Sequence, residues 1–223
     1  MQSTSSPRVK ICCISTVDEA HLAIRCGAAA LGLVSEMPSG PGVIEEDAIR
    51  TIAAAIPPPI SSFLLTSRQD AQAIIGQQRR TGVNTLQICD RVEKGALQVL
   101  RTALPGIRLV QVVHVTGAES LDEAIDLAQL VDALLLDSGN QSLPVKELGG
   151  TGRVHDWTIS RRIREAVGVP IFLAGGLSPD NVSQAVAEVG PFGVDVCSGV
   201  RTGGRLDADK LRAFVERASN STS

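Results

Sequence analysis

The sequence predicts an α/β protein folded as a single (β/α)8 TIM barrel with a parallel eight-stranded sheet. Three observations predict it. Short β-branched apolar runs alternate with helix-period runs eight times along the 223 residues. No composition shift marks a second domain, and this length suits one barrel. The turn after the first strand, CCISTVDE (Cys12–Glu19), lacks the glycine fingerprint of a doubly wound dinucleotide-binding sheet.

The elements follow in order. RVKICC (Arg8–Cys13) reads as the first strand, with a helix near Val17–Cys26. AALGLV (Ala29–Val34) is the second; after the Pro- and Gly-rich SEMPSGPGV comes a helix near Glu45–Ala55, whose first-turn Glu45, Glu46 and Asp47 suit the helix dipole. ISSFLL (Ile60–Leu65) follows three prolines as the third strand, with a helix over Arg68–Arg79. NTLQIC (Asn84–Cys89) is the fourth, with a helix near Glu93–Ala103. IRLVQVVHV (Ile107–Val115) and DALLLD (Asp132–Asp137) are the fifth and sixth, flanking a helix near Leu121–Leu130. A long loop then leads to a helix beginning at His155–Trp157. PIFLA (Pro170–Ala174) and PFGVDVC (Pro191–Cys197) are the seventh and eighth, with helices near Pro179–Glu188 and Asp207–Ala218. The barrel is expected over residues 8–218, with flexible ends at 1–7 and 219–223.

Composition narrows the partners. A net charge of −3 argues against nucleic acid or an anionic membrane surface. No apolar run reaches the roughly 18 residues of a membrane-spanning helix. Five cysteines without a CxxC pair, and no signal peptide, read as reduced cytoplasmic thiols. Aromatics are only 2%, which disfavours a site built on stacking. No His/Cys spacing suits zinc and no acidic cluster suits magnesium, so neither metal nor cofactor is expected.

In a barrel the chemistry belongs at the carboxyl ends of the strands. The seventh strand ends in AGGLSPDN (Ala174–Asn181), where Pro179 suits the first position of a helix, and the eighth in CSGVRTGG (Cys197–Gly204). Two adjacent glycine-rich ends point to a phosphate held on backbone amides, although glycines also serve plain turns. Cys12 ends the first strand; if Lys10 faces the interior, alternation sends Cys12 to the mouth and Cys13 to the helices. Cys12 is a candidate base or a packed core thiol. Asp137 ends the sixth strand as a candidate acid or a loop cap. Asp195 lies within an apolar strand, where a carboxylate must be paired or functional; Lys10, across the closure of the eighth strand on the first, is a candidate structural partner. His114, ending the fifth strand, is a competing base or a solvated mouth residue.

KICCIS (Lys10–Ser15) resembles the KICGIT opening of the phosphoribosylanthranilate isomerase family. The likeness continues through GAAALGLV, LLLD, GGTGRVHDW, AGGLSPDNV and VDVCSGV, six blocks in the same order. The resemblance implies an Amadori rearrangement of N-(5-phosphoribosyl)anthranilate in tryptophan biosynthesis, without metal or cofactor. It implies Cys12 as general base, Asp137 as general acid, and a phosphate held by Gly175, Gly176, Ser198 and Gly199. Asp195 is implied beside the substrate. The implied partner is a small phosphorylated sugar, and the implied assembly a monomer or homodimer.

The chain also departs from that pattern. The family's loop after the second strand carries an arginine that grips the anthranilate carboxylate; here the stretch is MPSGPGVIEE, with Pro41 at that place. QICD replaces QLHG, Cys13 replaces the glycine of KICG, and CSGVR replaces SSGVE. Arg201 is the expected substitute cation. Two other functions fit the same residues: an isomerase for a different aminoaldose phosphate, and a sugar-phosphate-binding barrel without turnover.

Overall fold

The computed structural model describes residues 6–220. The expectations for residues 1–5 and 221–223 lie outside the described residues. The strands are β1 (Arg8–Ile11), β2 (Ala30–Val34), β3 (Ser61–Thr66), β4 (Thr85–Ile88), β5 (Arg108–His114), β6 (Ala133–Asp137), β7 (Ile171–Leu173) and β8 (Gly193–Val196). All pair in parallel in chain order, and β8 returns to β1, so the sheet is a closed barrel. The helices are α1 (Val17–Arg25), α2 (Glu46–Ala55), α3 (Ala71–Thr81), α4 (Lys94–Ala103), α5 (Ser120–Ala128), α6 (Trp157–Ala166), α7 (Val182–Val189) and α8 (Ala208–Ser219).

Period-two alternation divides the core into two bodies. Val9, Ile11, Leu31, Leu33, Leu134, Leu136, Val194 and Val196 pack outward against the helices. Cys12, Ala30, Val34, Phe63, Leu65, Cys89, Leu135 and Phe172 fill the barrel, so it is a packed core rather than a pore. Lys10 and Asp195 share the inward parity and are register partners across β1 and β8.

Several boundaries differ from the sequence expectation, each for a local reason. α3 begins at Ala71 because the Asp70 carboxylate caps it, accepting from Ala73 N–H at 2.8 Å. α7 begins at Val182 rather than Pro179. Asn181 holds the preceding turn instead: its Oδ1 accepts from Ser178 N–H at 2.8 Å and its amide donates to the Gly176 carbonyl at 3.0 Å. After a 3-10 turn at Ser198–Val200, two short strands, β9 (Arg201–Thr202) and β10 (Arg205–Leu206), form a hairpin the sequence did not announce. Among the described residues no helix is long and apolar enough to cross a membrane.

Candidate active site

The inward-pointing ends of the strands meet in one pocket at the carboxyl mouth of the barrel. Cys12, Asp137, Asp195, Gly175, Gly176 and Ser198 all line it. β1 delivers Cys12 after Lys10 on the same face, and its N–H donates to the Val196 carbonyl at 2.8 Å. Asp137 closes β6; its Oδ1 accepts from the Ser138 N–H at 2.7 Å. Gly149 of the following loop lies against the other oxygen, where a Cβ would stand 2.7 Å from Oδ2.

The floor is an ion pair. Lys10 Nζ lies 2.9 Å from Asp195 Oδ2, and Lys10 is wholly buried. Burial would lower the Lys10 ammonium, but the Asp195 carboxylate, joined by Cys12 and Cys89, outweighs it and holds Lys10 above its usual range. The ammonium also sits 5.3 Å from the Phe63 ring centroid. Asp195 Oδ1 is buried without a protein donor. Gly32 makes room for this arrangement: a Cβ there would stand 2.9 Å from Cys12 Sγ and 3.1 Å from Lys10 Nζ. The catalytic-candidate thiol and the ammonium thus flank a single gap on β2.

The β7 turn reverses through Gly175 at φ +82° and Gly176 at +62°, a path open to glycine at little cost. Gly199, the fourth phosphate candidate, packs on the Leu177 carbonyl instead of lining the pocket. His155 stands behind this turn, with Nε2 2.7 Å from Ser160 Oγ, and burial lowers its pKa.

Two loops roof the mouth. The Ser39 hydroxyl donates to the Lys146 carbonyl at 2.7 Å, and a Cβ at Gly150 would stand 2.6 Å from Pro41 Cδ. The loop after β2 is therefore seated on the loop after β6. Sequence reasoning missed Met37, Ser39, Leu148 and Thr151 as pocket residues. The GGTG stretch that bears on Asp137 was visible only as a block of resemblance.

Three expectations need correction. Cys13 does not face the helices. Its φ of +61° breaks the strand alternation and turns it into the pocket, where burial of a left-handed cysteine replaces the outward position. Arg201 does not line the pocket. Its guanidinium donates to Glu19 Oε1 at 2.8 Å and to the carbonyls of Cys13 at 2.6 Å and Gly204 at 3.0 Å, which ties it to α1 and the hairpin. His114 lines a neighbouring cavity, with Nε2 3.1 Å from the Cys89 carbonyl. Cys89 itself is in the pocket, where burial pushes its thiol up.

The family model for N-(5'-phosphoribosyl)anthranilate isomerase matches residues 9–217. The chain belongs to this family. Within the phosphoribosylanthranilate isomerase family, it is 40% identical over 215 residues to the Haloferax volcanii enzyme, covering 95% of this chain and 92% of that one. It is 37% identical over 215 residues to isomerase 2 of Methanosarcina mazei, covering 96% and 94%. The crystal structure of the Thermotoga maritima isomerase superposes with a TM-score of 0.80 at 27% identity, covering 95% of this chain and 98% of that one. A phosphoribosyl anthranilate isomerase solved with reduced 1-(o-carboxyphenylamino)-1-deoxyribulose 5-phosphate gives 0.78 at 25% identity, with the same coverage. The chain is thus an isomerase, and the family's place is tryptophan biosynthesis.

Proposed function

We propose that this chain isomerises N-(5-phosphoribosyl)anthranilate to the carboxyphenylamino-deoxyribulose phosphate, with Asp137 as general acid and Cys12 as general base. The observation that carries the reading is that both side chains line one pocket with Gly175, Gly176 and Ser198. Those turns offer backbone N–H groups and a hydroxyl for the 5-phosphate. Asp137 gives its proton to the furanose ring oxygen; the C1–O bond breaks and the nitrogen lone pair forms a Schiff base. Cys12 then removes the C2 proton, the electrons neutralise the iminium nitrogen, and the enolamine tautomerises to the aminoketose. In this reading Asp195, which lines the same pocket, accepts a hydroxyl of the sugar. The relative solved with the reduced product analogue supports a pocket of this kind for a phosphorylated sugar.

One observation favours a second reading at the aglycone end. No lysine or arginine is among the pocket-lining residues, and Arg201 is committed to Glu19. An isomerase acting on an aminoaldose phosphate without the aryl carboxylate fits that wall equally well. The deciding experiment follows loss of anthranilate fluorescence with freshly generated phosphoribosylanthranilate. The Cys12→Ser and Asp137→Asn variants are expected to lose ~10²–10⁴-fold in kcat. A well-folded chain without turnover would remove the anthranilate reading and leave the second.

A further inference from the structure

Two cysteines stand at positions where the family resemblance has glycine and serine, and the fold brings them together. Cys13 follows β1 and Cys197 follows β8, the strands whose register runs Ile11 opposite Val196. Cys13 is the single non-glycine residue with positive φ among the described residues, a strained path for a side chain. That path turns its thiol into the pocket that Cys197 also lines, where Sγ donates to the Pro41 carbonyl at 3.7 Å. The Cys12 N–H bond to the Val196 carbonyl brings the ends of the two strands, and so the two cysteines, side by side. Cys13 is buried and Cys197 half-buried, and both line the pocket. The Arg201 guanidinium bears on the same spot: it donates to the Cys13 carbonyl, and its Nε is buried without a protein acceptor.

We propose that Cys13 and Cys197 are a peroxide-sensitive thiol pair that oxidises to a disulfide across the mouth of the barrel. The two thiols are differentiated as such chemistry requires. Cys197 lies below the ordinary thiol range because Cys13 and the Arg201 guanidinium bear on it, against the effect of burial. Cys13 moves the opposite way, raised by the neighbouring Cys12 and Cys197 sulfurs and by burial. Cys197 is half-buried where Cys13 is buried, so it is the sulfur that peroxide reaches and the attacking one. Its thiolate takes one oxygen of hydrogen peroxide, the O–O bond breaks, and the departing hydroxide leaves as water after gaining a proton. Cys13 then attacks the sulfenic sulfur; the S–O bond breaks, and the hydroxyl leaves as water with the Cys13 proton. Two thiols and one peroxide yield one disulfide and two waters. Among the described residues no three His, Cys, Asp or Glu side chains are arranged to hold a metal ion, so a metal-thiolate cluster is not the reading the geometry favours.

The thiol chemistry stands apart from turnover; only its consequence, loss of activity through a bridge beside Cys12, rests on the proposed function. The test is peptide mass mapping of the full chain after limited hydrogen peroxide and alkylation of remaining thiols. The expected product has lost two hydrogens, joins the Cys12–Cys13 peptide to the Cys197 peptide, and is reversed by dithiothreitol. Fragmentation is expected to place the link at Cys13. A link at Cys12, a sulfinic or sulfonic acid at Cys197 without a link, or oxidation confined to Cys26 would each overturn the proposal. Cys13→Gly, which suits the left-handed backbone, is expected to abolish the link and leave a dimedone-trappable sulfenic acid at Cys197. A Cys13→Gly chain that still cross-links Cys197 internally would equally sink it. These readouts need no turnover, so a chain inactive on phosphoribosylanthranilate still decides the matter.

Discussion

Lys10 Nζ and Asp195 Oδ2 stand 2.9 Å apart at the floor of the mouth pocket, and the strand register makes them neighbours. The pair is closed to bulk water, so each charge depends on the other. Lys10→Met is expected to cost about 3–5 kcal/mol, because it strands a buried carboxylate. Lys10→Met combined with Asp195→Asn is expected to recover most of that loss, since no net charge then remains buried. Urea unfolding measures both. A double variant as unstable as the single one would show that packing, rather than charge, sets the cost.

Gly32 faces the same floor from β2. Gly32→Ala puts a methyl group 2.9 Å from Cys12 Sγ and 3.2 Å from Cys12 Cα, so the β1 end must shift. The expected stability loss is about 1–3 kcal/mol, as for overpacking elsewhere. With Cys12 as the proposed base, displacing it costs more in catalysis than in binding, and kcat is expected to fall ~10²-fold with KM little changed. Steady-state kinetics on the variant separate the two parameters. A fall confined to KM would place the effect on substrate fit instead.

Much of this was legible in the sequence because alternation is a strong signal. Val9 and Ile11 going out implies Lys10 and Cys12 going in, and the same parity set Asp137 and Asp195 on the inner face. The failures fall where the chain leaves regular structure. Cys13 defeats alternation through a positive φ, which sequence shows only when glycine occupies the site. Arg201 follows a short turn whose hairpin is two residues a side, too short for a period to declare itself. Its partner Glu19 lies 182 positions away, a contact that only the closure of β8 onto β1 creates.

That contact makes the β9–β10 hairpin acid-sensitive. Burial would raise the Glu19 carboxyl, but the Arg201 guanidinium and the N–H groups of Ser15 and Leu206 hold it below its ordinary 4.5. A depressed folded value means the ionised form is favoured by folding. The contribution is therefore complete above about pH 4.5 and is lost as pH falls through the folded value. Glu19→Gln is expected to cost ~1–2 kcal/mol at pH 7, discounted for partial exposure. The gap to the unaltered chain should narrow below pH 4.5. Unfolding curves across that range check it, and a gap constant with pH would assign the cost to packing.

Pro41 offers the sharpest test of what the mouth binds. It sits in the roof, against Gly150, at the place where the family resemblance has a carboxylate-gripping arginine. The pocket wall beneath it carries no lysine or arginine. Pro41→Arg places a fork of donors within reach of an aryl carboxylate, and a charge-assisted contact of about 1.5–3 kcal/mol corresponds to roughly ten- to a hundredfold in affinity. The expected result is a fall of that size in KM for phosphoribosylanthranilate, with kcat little altered, because the proposed base and acid, Cys12 and Asp137, are left in place. Inhibition by inorganic phosphate is the control and is expected to change little, since the substitution leaves the β7 and β8 turns themselves unaltered. If KM rises while phosphate inhibition stays constant, the aglycone does not lie under Pro41. An aminoaldose phosphate without an anionic aryl group would then be the better substrate to try.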